Sequence, residues 1–338
     1  MTAHRSGTTP GPAVVVMNPR SGGGKVTRFH LIERAERLGA QVTVTSEELG
    51  AAALARLAVE QGAQVLGVAG GDGTVAAVAA VAAEADCPLV VVPAGTRNHF
   101  ARDLGLDTRN PARALTALVD PEPVRVDLGS VGSRVFVNNV SFGVYADALL
   151  EPGYRQAKAR SFAAVAPPYL EGQRWVDAGI DTPVETIADP QVVLVSNNPY
   201  HLSTLRELGR RFSLSTGRLG AIVIKRPATP PPPDLLPRLR QDLRRHASTG
   251  SRGAGVVTSP GTGVVTWSAM QVELTGSGAY LTAGIDGEAV TLQLPITCRI
   301  RPAALRILLP RERPGVPEEP APDRRHLPGK GHPRGVRP

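Results

Sequence analysis

The sequence predicts an α/β protein in two parts: an N-terminal parallel, doubly wound sheet, then a second half of mainly antiparallel β structure. Three observations carry this. Over residues 13–128 short apolar runs alternate with helical patterns, as parallel strands joined through helices require. Two of those runs, QVLGVAG (64–70) and PLVVVPAG (88–95), are almost continuously apolar, the mark of strands buried on both faces. From residue 124 strand patterns follow one another with glycine-containing turns, the grammar of antiparallel pairing. A chain of 338 residues has room for about two domains.

Residues 1–12 are polar and Pro/Gly-rich, a flexible arm. AVVVMNP (13–19) reads as a strand, and VTRFHLIERAERLG (26–39) as a helix with Phe29, Ile32, Ala35 and Leu38 on one face. QVTVTSE (41–47) is a strand and AAALARLAVEQG (51–62) a helix closed by Gly62. The strand at 64–70 hands over through GGDGT to an alanine-rich helix, and PARALTALVD (111–120) is a helix opened by Pro111. VRVDLGSVGSRVFVNNVSFGV (124–144) reads as two strands around a glycine turn. Further strands are expected at 191–197, 217–226, 264–276 and 289–295, with a helical insert at 155–180 and a basic amphipathic helix at 234–247. The expected domains are 13–128 and 129–300, followed by a returning apolar segment at 301–310 and a basic, proline-rich, disordered tail at 311–338.

The net charge is +8, of which the tail supplies +3 from seven basic and four acidic residues. The body is therefore only mildly basic, which suits an anionic ligand or an anionic membrane surface and does not make a nucleic-acid footprint. Aromatic content of 4% argues further against base stacking. Cys87 and Cys298 stand far apart, as buried thiols in a reducing compartment do. The apolar stretch 75–95 is broken by Glu84, Asp86, Pro88 and Pro93, and the first residues lack an apolar core, so a cytoplasmic protein is expected.

Three loops follow strands of the same predicted sheet: MNPRSGGGK (17–25), GGDGT (70–74) and VPAGTRNHF (92–100). A glycine turn entering a helix aims backbone N–H groups and the positive helix end at one point, which suits phosphate. Asp72 is anomalous there unless it holds Mg²⁺ beside the phosphates. The first loop is not a Walker motif, because Pro19 stands where glycine is needed and Val26 follows Lys25. A plain capped turn is the alternative for the glycine turn alone, and a hairpin turn is the alternative for Asp286-Gly287.

NPRSGGG (18–24), GGDGT (70–74) and PAGTRNHFARDLG (93–105) resemble the nucleotide-binding motifs of the diacylglycerol kinase/sphingosine kinase superfamily of lipid kinases. The likeness continues in order through VRVDLG (124–129), FVNNVSFG (136–143), VSNNPY (195–200), STGRLG (215–220) and AGIDGE (283–288). The resemblance implies a β-sandwich lipid domain facing the nucleotide domain across an active-site cleft. Asn18, Ser21, Gly22, Thr45, Gly70, Gly71, Asp72, Gly73, Thr74 and Thr96 would then bind ATP, with Asp72 and Asp127 around Mg²⁺. Asp286 and Glu288 would meet the lipid hydroxyl, with either one the base. Three departures stand out. Ala76 and Ala77 replace an Asn-Glu pair common in relatives, His99 replaces an aspartate, and Thr216 replaces an aspartate of a second, structural metal site.

The implied reaction is transfer of the γ-phosphoryl of ATP to a lipid hydroxyl, with a diacylglycerol-like acceptor. The protein would work at a membrane surface, peripheral to its inner face, and a homodimer is left open. A soluble kinase of the NAD kinase or phosphofructokinase type is the rival enzyme, because GGDG followed by Thr or Ser occurs there too. A non-catalytic lipid- or nucleotide-binding relative is the other alternative, suggested by Ala76, Ala77 and His99.

Overall fold

The computed structural model describes residues 12–151, 158–201, 210–226, 257–259 and 263–313. The N-terminal arm, the basic helix expected at 234–247 and most of the proline-rich tail lie outside the described residues.

The N-terminal half runs β1 (Ala13–Met17), α1 (Lys25–Arg28), α2 (Leu31–Arg37), β2 (Gln41–Val44), α3 (Ala51–Glu60), β3 (Val65–Gly70), α4 (Asp72–Glu84), β4 (Leu89–Pro93) and α5 (His99–Asp103). β1 pairs in parallel with both β2 and β3, and β3 with β4, giving the order β2-β1-β3-β4. All residues of β1, β3 and β4 are buried, as their unbroken apolar runs require. Because neighbouring strands run the same way, their carboxyl ends share one edge, and the three glycine-containing loops leave from it. The helix expected over 26–39 is two helices, because His30 adopts a left-handed φ of 50° between them. Leu31 and Ala35 beyond the break are fully buried. The segment read as a helix from Pro111 winds as a 3₁₀ helix over Pro111–Leu118.

The second half continues through β5 (Pro121–Val131), β6 (Arg134–Phe136), β7 (Asn139–Gly143), α6 (Val144–Leu150), α7 (Lys158–Leu170), β8 (Gly179–Asp181), β9 (Thr186–Ile187), β10 (Val192–Asn197), β11 (Leu219–Ile224), β12 (Val257–Ser259), β13 (Val264–Ala269), β14 (Gln271–Thr275), β15 (Tyr280–Ile285), β16 (Glu288–Gln293) and β17 (Ile296–Pro310). Seven of these strands form an antiparallel sheet in the order β12-β13-β11-β10-β7-β15-β16. β17 belongs to the other sheet: its end lies parallel to β4, with Ile307 opposite Leu89, and its start pairs antiparallel with β14. β5 runs antiparallel along it from Pro310 back to Cys298. Two long strands therefore extend the N-terminal sheet into the second half, and β17 brings the end of the chain alongside β4. A bulge between Arg301 and Leu305 bends β17 where it passes from one hydrophobic core to the other.

Two expected strands divide. Residues 124–144 hold β5, β6 and β7, of which β7 joins the seven-stranded sheet while β5 does not. The run 264–276 breaks at Met270 into β13 and β14, one in each sheet. A two-residue alternation marks which side chains are buried but not which sheet receives the strand.

Candidate functional site

The first group of residues sits where the carboxyl ends of β2, β1, β3 and β4 meet the loops that follow. The Asn18 amide donates to Ala69 O at 2.8 Å and the Thr45 amide to Met17 O at 2.9 Å, so both residues leave their strands side by side. Asn18 Nδ2 reaches Thr74 Oγ1 at 3.4 Å. A Cβ on Gly95 would lie 2.3 Å from Gly71 Cα, and one on Gly22 would lie 2.2 Å from Ala94 O. These glycines thus serve first to let the three loop backbones touch one another. Asn98 locks the third loop from inside. It is 2% exposed and left-handed. Its Oδ1 accepts from Gly95 N at 2.8 Å while Nδ2 donates to the carbonyls of Gly95 and Pro93 at 2.8 and 3.3 Å. Lys25 Nζ donates to Gly95 O and Thr108 O at 3.0 and 3.2 Å, and burial pushes its ammonium pKa down. Gly70, Ser21 and Thr96 belong to the same loop cluster, Thr96 being exposed.

Gly71 caps α4 with extended backbone, so the free amides of Asp72, Gly73 and Thr74 open toward this edge. Asp72 is the first helical residue and its Oδ1 accepts from Phe100 N, at the start of α5, at 3.2 Å. His99 lies beside it: burial lowers the imidazole pKa and the Asp72 charge opposes that shift.

Asp286 and Gly287 form the two-residue turn of the β15–β16 hairpin, with Ile285 opposite Glu288 and φ of 47° and 88°. Two positive φ values are what a type I′ turn needs, and Asp-Gly supplies them. The same residue also turns its carboxylate inward. Oδ2 accepts from Val137 N at 2.8 Å, and Oδ1 accepts from Asn138 N and Asn139 N at 2.8 and 3.0 Å. Burial pushes this carboxyl up to about 7 against the pull of the three amides, and the nearby Asp72 charge adds to the rise. Glu288 is exposed. Its Oε1 stands 3.0 Å from where a Gly73 Cβ would be, so the hairpin tip lies against the first turn of α4. Asp72, Gly73, Asp286 and Glu288 therefore meet where the two halves face each other.

Asp127 is not brought into that group. It is 2% exposed, with Oδ2 accepting from Gly217 N at 2.7 Å and Oδ1 from Ala303 N at 2.8 Å. Its carboxylate fastens the 213–219 loop to the bulge of β17. Among the described residues no cluster of three or more His, Cys, Asp or Glu side chains is arranged to hold a metal ion. Thr216, at the position compared with a metal-binding aspartate, is instead held by its amide and hydroxyl against Asn198 Oδ1 at 2.9 and 3.1 Å.

Motif reading did not single out Asn98, Asn138, Asn197, Tyr200, Asp103 or Arg211. Asn139 Nδ2 donates to Tyr200 OH at 2.8 Å, and Asn197 Nδ2 to Asp127 O at 2.9 Å. Arg211 and Asp103 form an ion pair at 2.6 Å with both side chains sealed from solvent. The doubled asparagines of FVNN and SNN were a legible signal, since buried amides in pairs satisfy backbone groups that a sheet leaves unpaired.

Residues 12–131 match the family model described as the diacylglycerol kinase catalytic domain. A diacylglycerol kinase of Mycobacterium tuberculosis is 38% identical over 125 residues, which cover 36% of this chain and 40% of that protein. A diacylglycerol kinase of Staphylococcus carnosus is 27% identical over 186 residues, covering 53% and 60%. The matched regions thus span about half the length of these relatives. A crystal structure from Bacillus anthracis str. Sterne has the same fold, with a TM-score of 0.66 at 16% identity, covering 91% of this chain and 98% of that one. A diacylglycerol kinase structure from the same organism gives 0.58 at 16% identity, covering 88% and 96%.

The similarity to the diacylglycerol kinase catalytic domain covers residues 12–131, and the likeness of fold covers 91% of the chain.

Proposed function

We propose that the protein is an ATP-dependent lipid kinase that transfers the γ-phosphoryl group to the hydroxyl of a diacylglycerol-like lipid drawn from a membrane surface. The observation that carries this reading is the meeting of Asp286, from the antiparallel half, with Asp72 and the first turn of α4 from the nucleotide half. The triphosphate would lie along the amides of residues 71–74, flanked by Asn18, Ser21, Gly22, Thr45 and Thr96. In that position the amides and the positive helix end face charge that develops on the transferring group.

Asp286 is the preferred base. A lipid hydroxyl is barely ionised near neutral pH, so its proton needs an acceptor as the O–P bond forms. Oδ2 carries one amide bond against two on Oδ1, so Oδ2 keeps a lone pair for that proton. The bond between the γ-phosphorus and its bridging oxygen breaks, and ADP leaves with the electron pair. A carboxyl with a pKa of about 7 is half ionised near pH 7, poised both to take and to give up a proton. Glu288 would flank the acceptor.

Mg²⁺ fits this site through Asp72 alone. The ion commonly takes one or two carboxylates together with substrate phosphates and water, and Asp72 spends only Oδ1 on a protein amide. Bound there it would neutralise phosphate charge. Asp127, with both oxygens on backbone amides, holds the fold.

The test is to offer labelled ATP with a diacylglycerol vesicle, with a total lipid extract and with NAD in parallel. Label in the diacylglycerol arm is expected. Label in NAD alone would replace this reading with a soluble small-molecule kinase, and ATP binding with no labelled product would make the chain a binding protein.

A further inference from the structure

We propose that Arg211 is a positioning residue that orients the Asp286 carboxylate through a single peptide group. The inference rests on Asp286 being the base and names a residue that acts through it.

The bonds around Arg211 form a closed set. Its side chain is fully buried. Nη1 donates to Val137 O at 2.6 Å and to Asn197 O at 2.8 Å, Nη2 to Asn138 Oδ1 at 2.9 Å, and Nε to Asp103 Oδ2 at 2.6 Å. The carbonyl of Val137 and the amide of Asn138 belong to one peptide unit. Arg211 binds its oxygen end, and Asp286 Oδ1 binds its N–H end at 2.8 Å. A cation on the oxygen draws electron density along the amide and makes the N–H a stronger donor to the carboxylate. The next peptide repeats the pattern with a neutral partner: Asn197 N donates to Asn138 O at 2.9 Å while Asn139 N donates to Asp286 Oδ1 at 3.0 Å.

Arg211 also links the two acids of the site. Asp103 ends the short helix α5, and Phe100 near the start of that helix gives its amide to Asp72 Oδ1 at 3.2 Å. One rigid turn of helix therefore holds Asp72 at one end and Arg211 at the other, and Arg211 holds the turn that holds Asp286. This line of contacts runs from the phosphate side of the gap to the base side. Lysine cannot replace Arg211, because an ammonium lacks the planar fork that reaches Asp103, Val137 and Asn138 together.

The experiment is a double-mutant cycle in the full chain, with Arg211→Lys, Arg211→Met, Asp286→Asn and the pairs, assayed for phosphorylation of diacylglycerol vesicles. Arg211→Lys is expected to lower kcat by about 10²-fold, the cost of misplacing a reacting group by roughly an ångström, with the KM for ATP unchanged. Once Asp286 is asparagine, Arg211→Lys should cost no more than about twofold, because the two residues act as one unit. An unpaired Asp103 left buried can unfold Arg211→Met. The double change Arg211→Met with Asp103→Leu removes both charges, keeps the volume and should fold, yet show the same loss of kcat. A kcat within about threefold of wild type in Arg211→Lys and in this charge-free pair overturns the proposal. So does a loss of equal size in the presence and absence of Asp286→Asn. If Asp286→Asn itself leaves kcat intact, the choice of base fails, and that outcome is separate from the role of Arg211.

Discussion

Replacing Asp286 with asparagine probes the site through the smallest change in shape. An asparagine placed on the same rotamer can keep Oδ1 on the amides of Asn138 and Asn139. Its Nδ2 then faces the Val137 N–H, which donates to Oδ2 at 2.8 Å in the native chain. Two donors meet, one hydrogen bond is lost, and the cost is about 1–3 kcal/mol. Removing a carboxylate that burial keeps near neutrality offsets part of this, so stability should fall by no more than about 2 kcal/mol. Activity should fall far more. A positioned general base contributes ~10²–10⁴-fold, and asparagine cannot take the proton at all. The assay is initial-rate phosphorylation of diacylglycerol vesicles with labelled ATP, beside urea denaturation of the same preparation. A variant that keeps more than a tenth of the wild-type kcat while losing the expected stability would rule Asp286 out as the base and leave it as a turn residue only.

Other outcomes follow from the same geometry. Because the Asp286 pKa lies near 7 instead of 3.8, kcat should rise with pH through about 7, read from a rate profile at saturating ATP. The linked stability runs the other way: between pH 3.8 and 7 the folded state holds a proton the unfolded chain has lost, so this group's contribution falls as pH rises. The melting-temperature difference between wild type and Asp286→Asn should shrink or reverse over that window. Gly95→Ala puts a methyl 2.3 Å from Gly71 Cα, so the loops must separate and ATP affinity should drop at least tenfold by calorimetry while helix content persists. Asn98→Ala deletes three buried hydrogen bonds at a left-handed residue and should cost about 2–4 kcal/mol in urea denaturation.

The sequence and the structure agree most closely where local chemistry decides the outcome. Gly-rich turns after apolar strands had to stand at one sheet edge once the strands were parallel, and Asp286-Gly287 had to be a tight turn. Less legible were the roles those residues share. Gly22 reads as a nucleotide contact from its motif, whereas a Cβ there would lie 2.2 Å from Ala94 O, so this glycine first lets two loops pack together. Asp127 reads as one more acid of the site from its motif, yet its oxygens are taken by amides 90 and 176 positions away. Arg211 and Asp103 are 108 positions apart, and neither lies in a pattern that announces its partner. The two strands that leave one core for the other, β5 and β17, carry ordinary strand patterns throughout, because alternation responds to burial and not to which core does the burying.

The most direct measurement is a crystal structure of the full chain with a non-hydrolysable ATP analogue and Mg²⁺. The triphosphate is expected along the amides of residues 71–74, its γ-phosphate facing the gap between Asp72 and Asp286. A nucleotide bound elsewhere, or a γ-phosphate pointing away from Asp286 with no room for an acceptor hydroxyl between them, would contradict that placement.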